Sequence, residues 1–120
     1  MTDALSIANH YIATWNETDA QRRDTLIAVG WSKAASYADP LMAAQGHEAI
    51  AGMIGAVQAR FPGFVFALGG TPDGFGDNVR FSWGLGPKGQ EPLIEGTDFA
   101  RVEDGLIHSV TGFFDKVPAA

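Results

Sequence analysis

Gly96-Thr97-Asp98-Phe99 is the stretch on which the reading of this chain turns. It lies inside a run that alternates as a β-strand does. Ile94, Gly96, Asp98, Ala100 and Val102 fall on one face, and Leu93, Glu95, Thr97, Phe99, Arg101 and Glu103 on the other. The second face carries most of the charge, so the first should look inward and take Asp98 with it. An acid among small and apolar neighbours has two readings. Either it bonds to local backbone amides, or, with no cation near, it keeps its proton because ionisation in a site of low polarity is costly. In that state it can donate a hydrogen bond.

Downstream, Asp104-Gly105 is a two-residue hairpin signal that joins this strand to another over Leu106 to Lys116. There His108, Val110, Gly112 and Phe114 share parity with the inward face. Upstream, strands are expected over Phe64 to Leu68 and Val79 to Leu85, the latter facing Phe81 and Trp83 inward and Arg80 with Ser82 outward. The glycine-rich segment from Gly69 to Gly76 reads as a loop or irregular hairpin without a phosphate-binding glycine pattern.

The segments before these strands are helical. The first opens on Thr2 or Asp3 as cap and sets Ala4, Ala8, Tyr11 and Trp15 on one stripe, widened by Leu5, Ile7 and Ile12. Tyr11 and Trp15 are four apart and therefore neighbours, and a core-facing phenol at Tyr11 needs a partner. A second helix runs from about Asp19 to Trp31, carrying Leu26, Ile27 and Val29, with Gly30 weakening its end. Ala34 to Asp39 reads as a short strand with Tyr37 and Asp39 on one face, stopped by Pro40. A third helix from Gly46 carries Ile50, Met53, Ile54, Val57 and Phe61, and Phe61-Pro62-Gly63 ends it. Helices first and an antiparallel meander after them argue for one α+β domain over residues 1–120, its helices packed on one face of a bent sheet.

The 120 residues suffice for a single core. A net charge of −6 excludes the electrostatic footprint of nucleic-acid binding or of an anionic membrane surface. The absence of cysteine rules out disulfides, thiolate metal sites and a cysteine nucleophile. With no apolar run of membrane-spanning length and no basic-then-apolar leader after Met1, a cytoplasmic protein is expected. His10, His47 and His108 lack metal-ligand spacing, so no metal or cofactor is expected. His47, at a helix start, is either an anion ligand or a solvated first-turn residue. His108, near the pocket mouth, is either an extra proton donor or a rim histidine.

Nearly the whole chain, from the two helices through Tyr37-Ala38-Asp39-Pro40, the Glu48-Ala49-Ile50 helix, Gly96-Thr97-Asp98-Phe99 and the Asp104-Gly105 hairpin, resembles the SnoaL-like and ketosteroid-isomerase-like superfamily, within the nuclear-transport-factor-two-like fold. The resemblance implies a cone-shaped barrel of strongly bent, largely antiparallel sheet around about three helices, enclosing a pocket. It also implies roles: Asp39 as the general base that shuttles a proton, Tyr11 as one oxyanion donor and Asp98 as a second, protonated donor. A neutral acid in that role is already known from ketosteroid isomerase.

Two classes of function follow. One is an enzyme of the isomerase or polyketide-cyclase kind, moving a proton next to a carbonyl; the other is a protein that only binds a small apolar ligand. Epoxide opening would need Arg80 inside the pocket, against its parity. The walls expected from Trp15, Tyr37, Phe81, Trp83, Val110 and Phe114 suit a mostly apolar molecule. On the outer side of the sheet, Phe99 and Phe113 point away from the pocket, and an exposed apolar patch of that kind marks an interface. Proteins resembling this family commonly pair through that face, which implies a homodimer.

Overall fold

The structure, a computed structural model, describes residues 3–118. Its elements run α1 (Ala4–Asn16), α2 (Ala20–Gly30), β1 (Trp31–Ala38), β2 (Ala43–Gln45), α3 (His47–Arg60), β3 (Phe64–Leu68), β4 (Asp73–Phe75), β5 (Asn78–Pro87), β6 (Ile94–Glu103) and β7 (Leu106–Lys116). Asp3 caps α1 by accepting from the amides of Leu5 and Ser6, and Asp19 caps α2 by accepting from Arg22. Thr2, the other expected cap, lies outside the described residues.

The second helix stops one residue earlier than expected. A Cβ on Gly30 would stand 2.2 Å from Nε2 of His10, an imidazole already fixed at 2.8 Å from the carbonyl of Leu26. Trp31 turns into extended backbone and buries its side chain, so β1 begins three residues before the expected Ala34. The glycine-rich segment is the irregular hairpin of the two alternatives, with β4 pairing β5 from Asp73↔Arg80 to Phe75↔Asn78. Strand β2 is too short to leave an alternating pattern in the sequence and forms by pairing with β1.

The sheet runs in the order β2-β1-β7-β6-β5-β3, antiparallel except for the parallel β1–β7 pair. It is strongly curved but does not close, which corrects the expectation of a barrel: among the described residues β2 and β3 remain edges. Register shifts within β6–β7 and β1–β7 break the ladders where the sheet bends. Helix α1 lies against β3 and β5 and substitutes for the missing strand. The amide of Asn16 donates to the carbonyl of Phe66 at 2.8 Å and accepts from its N–H at 2.7 Å, so the β3 edge is satisfied by a side chain. Ala8, Tyr11 and Trp15 of α1, Ile50 and Ile54 of α3 and Val79, Phe81 and Leu85 of β5 are buried within one core.

Candidate active site

Asp98 does face inward, in the middle of β6, and only 2% of it is exposed. Two glycines make the room it occupies. Across the sheet it pairs with Gly112 of β7. A Cβ there would stand 2.7 Å from Asp98 Oδ1, 3.4 Å from Cβ of Asp39 and 3.5 Å from the Tyr37 hydroxyl. The missing side chain thus lets three polar residues from β1, β6 and the end of β1 approach one another. Gly96, on the same face of β6, leaves space for the Trp83 indole, which a Cβ would meet at 2.3 Å.

The Tyr11 hydroxyl donates to Asp98 Oδ2 at 2.6 Å, while Oδ1 is buried without a partner. The Trp83 N–H faces the same carboxyl group without reaching hydrogen-bond geometry. Burial pushes the Asp98 pKa up to about 6; the Tyr11 bond and the Trp83 dipole oppose the rise, and the nearby charge of Asp39 adds to it. Burial, followed by the charge of Asp98, also raises Tyr11 well above an ordinary phenol, so this residue stays a neutral donor. Its ring is fixed edge-on to Phe81 at 4.9 Å and stacked on Trp31 at 5.7 Å.

Asp39 follows β1 and is held by its own turn. Oδ1 accepts from the amides of Leu41 at 2.8 Å and Met42 at 3.0 Å, and Oδ2 accepts from the Tyr37 hydroxyl at 2.6 Å. Pro40 sets up this turn by ending the strand. Tyr37 is buried against Trp15, and its pKa is raised first by burial and then by the charge of Asp98. Tyr37 therefore positions Asp39 as well as walling the cavity.

All four polar side chains border one cavity of about 500 Å³, whose remaining walls are mainly apolar and include Trp15, Val57, Phe66, Trp83, Ile94 and Phe114. Three expected wall residues do not reach it. The Phe81 ring packs against Tyr11 in the core. Val110 is likewise core, paired with Tyr37 and Ala100. His108 is displaced by the register shift between β6 and β7: Arg101 pairs with Ser109 and Val102 with Ile107, so strand parity breaks at His108 and Ile107 is buried instead. The His108 ring lies 3.3 Å from both Ser32 Oγ and Glu103 Oε2, half-exposed.

Arg80 points outward, as its parity predicts, and pairs with Asp73 at 3.2 Å, so the arrangement for epoxide opening is not formed. His47 meets neither expectation: its Nε2 lies 2.9 Å from the carbonyls of both Trp31 and Ser32, which ties the start of α3 to β1. Among the described residues no three acidic or histidine side chains converge as a metal site, and no helix is long and apolar enough to cross a membrane. Sequence reading missed Arg60, Phe61 and Phe66 as cavity walls. For Arg60 a signal exists, because it follows Val57 by three residues and so shares its side of α3.

The sequence matches the SnoaL-like domain family over residues 8–110. Among curated proteins, none matches the chain. A solved structure from Agrobacterium tumefaciens, named a "putative isomerase of the SnoaL-like family", is 44% identical over 96% of this chain and 99% of its own, with a TM-score of 0.91. The fold is shared with a "putative ketosteroid isomerase" from Kribbella flavida, 19% identical over 96% of this chain and 79% of that one, TM-score 0.70. It is shared too with a "putative polyketide cyclase" from Sinorhizobium meliloti, 17% identical over 89% and 93% of the two chains, TM-score 0.70. The match over most of the chain and the polar cavity agree: this chain belongs to the SnoaL-like domain family.

Proposed function

We propose that this protein moves a proton next to the carbonyl of a small, mostly apolar ketone, as a cofactor-independent isomerase or cyclase-type enzyme. Asp39 takes the proton from the carbon beside the carbonyl. The electron pair left behind delocalises onto the carbonyl oxygen, where Asp98 in its protonated form, which becomes scarcer as pH rises above about 6, donates a hydrogen bond to the enolate. Tyr11, whose one O–H is given to Asp98 Oδ2, holds that carboxyl group in place. Asp39 then returns the proton to the same carbon or, in a conjugated enolate, to a more distant one. The observation that carries this reading is the buried Tyr11–Asp98 pair, whose carboxyl keeps one oxygen, Oδ1, without a partner, and which borders the same cavity as Asp39. The name of the Agrobacterium relative supports the same class of reaction.

The test is to follow conversion of an apolar β,γ-unsaturated ketone to its conjugated isomer by ultraviolet absorbance. Wild type is expected to convert it, and Asp39→Asn and Asp98→Ala to lose most of the rate. A second reading, binding without catalysis, draws on the three hydrogen bonds that Asp39 already accepts, which turn its two oxygens toward the Tyr37 hydroxyl and the Leu41 and Met42 amides. A wild type that binds such ketones and leaves them unchanged supports this second reading.

A further inference from the structure

Among the described residues Arg60 is the one cationic side chain bordering the cavity, whose other ionisable walls are Tyr11, Tyr37, Asp39 and Asp98. Its guanidinium carbon stands 6.0 Å from the centre of the Phe61 ring, and the residue is exposed. Leu41 and Val117, 77% and 60% exposed, border the same cavity, as does exposed Pro118. These four side chains mark the cavity's solvent-facing lip, three of them apolar and one cationic, while buried Tyr11 and Asp98 mark its inner end. Among the described residues Arg60 makes no ion pair.

A basic residue in the last turn of a helix suits the helix dipole, but the dipole alone does not require it to border a cavity. A wholly neutral ligand gains little from a cation at the lip. A guanidinium fork matches a carboxylate, with two N–H groups meeting two oxygens.

We infer that the ligand is amphiphilic, with an apolar body in the cavity, its ketone at the Tyr11–Asp98 end and a carboxylate at the lip on Arg60. The inference rests on the proposed ketone chemistry and adds the anionic end. Arg60 here selects the ligand and takes no part in the proton transfer.

The test compares para-(oxocyclohexyl)benzoate with the matching neutral benzamide, with binding read by fluorescence of Trp15 and Trp83 in the cavity wall. Wild type is expected to hold the acid about fivefold more tightly than the amide at low salt, with the preference shrinking as salt rises. The preference should vanish in Arg60→Gln and persist in part in Arg60→Lys. Equal binding of acid and amide by wild type, or a preference that survives Arg60→Gln, overturns the assignment of Arg60 and leaves the ketone site standing. Failure of wild type to bind either probe counts against the ketone site itself and removes the inference with it.

Discussion

The Tyr11 hydroxyl and Asp98 Oδ2, on residues 87 apart in sequence, stand 2.6 Å from each other in the buried end of the cavity. The bond ties α1 to the middle of β6, so the helix that lies against β3 and β5 also supplies a donor to the acid. It is also one of the influences that hold the Asp98 pKa down against burial.

Tyr11→Phe should therefore raise the Asp98 pKa further above 6, measured by following its carboxyl carbon in an NMR pH titration. Removing a buried hydrogen bond to an acid should also cost about 1.5–3 kcal/mol of stability in urea unfolding. An unchanged Asp98 titration in Tyr11→Phe would mean that the bond is not formed in solution.

Asp98 makes the fold less stable at neutral pH. Its pKa moves from 3.8 to about 6 on folding, so the native state holds the proton more tightly than the unfolded chain. The contribution of Asp98 to stability is greatest below pH 3.8, falls as pH rises to about 6, and is level above that. Asp98→Asn should remove this loss, raising stability relative to wild type by up to about 3 kcal/mol at pH 7 and by little at pH 4. Thermal unfolding of both proteins at the two pH values is the check, and equal differences at both would contradict the shift.

Gly112→Ala should fold, because the atom its Cβ would crowd is the end of the Asp98 side chain, 2.7 Å away. The carboxyl group must then move, and a misplacement of about 1 Å costs about 100-fold in rate where geometry matters. Activity falling with near-native stability is the expected result. Gly96→Ala, by contrast, would press on the Trp83 ring and on the backbone carbonyl of Phe113 at 2.6 Å, so it should lose stability.

We propose that a second copy of the chain covers the outer sheet face. Phe99 and Phe113 are 44% and 52% exposed there and pack edge to face at 5.8 Å as an exposed apolar patch. Sedimentation should give twice the mass of one chain at micromolar concentration, and Phe113→Asp should give single chains with the cavity intact. A wild-type mass of one chain would count against the pairing.

The inward placement of Asp98 was legible because alternation is strict from Gly96 to Val102 and one face carries a lone charge. The hairpin at Asp104-Gly105 was legible too, since positive φ at both residues is what that pair favours. The position of His108 was not, because a break in the pairing register resets parity and leaves no mark in the residue types. Phe81 obeys its parity, yet Tyr11 packs against it from another element, which no single strand can reveal. The open edge at β3 was hidden for the same reason: the Asn16 side chain that satisfies it is 50 residues from Phe66.

The proposed reaction begins with abstraction of a proton next to a carbonyl, and deuterium exchange measures that step without requiring a particular double bond. Apolar enolisable ketones, incubated in deuterated water with the protein and read by proton NMR, should lose signal at the carbon beside the carbonyl. Asp39→Asn should slow this exchange by about 10²- to 10⁴-fold, the usual contribution of a positioned base. Ketones that bind wild type yet exchange no faster than in its absence, or an Asp39→Asn protein as fast as wild type, would contradict the account.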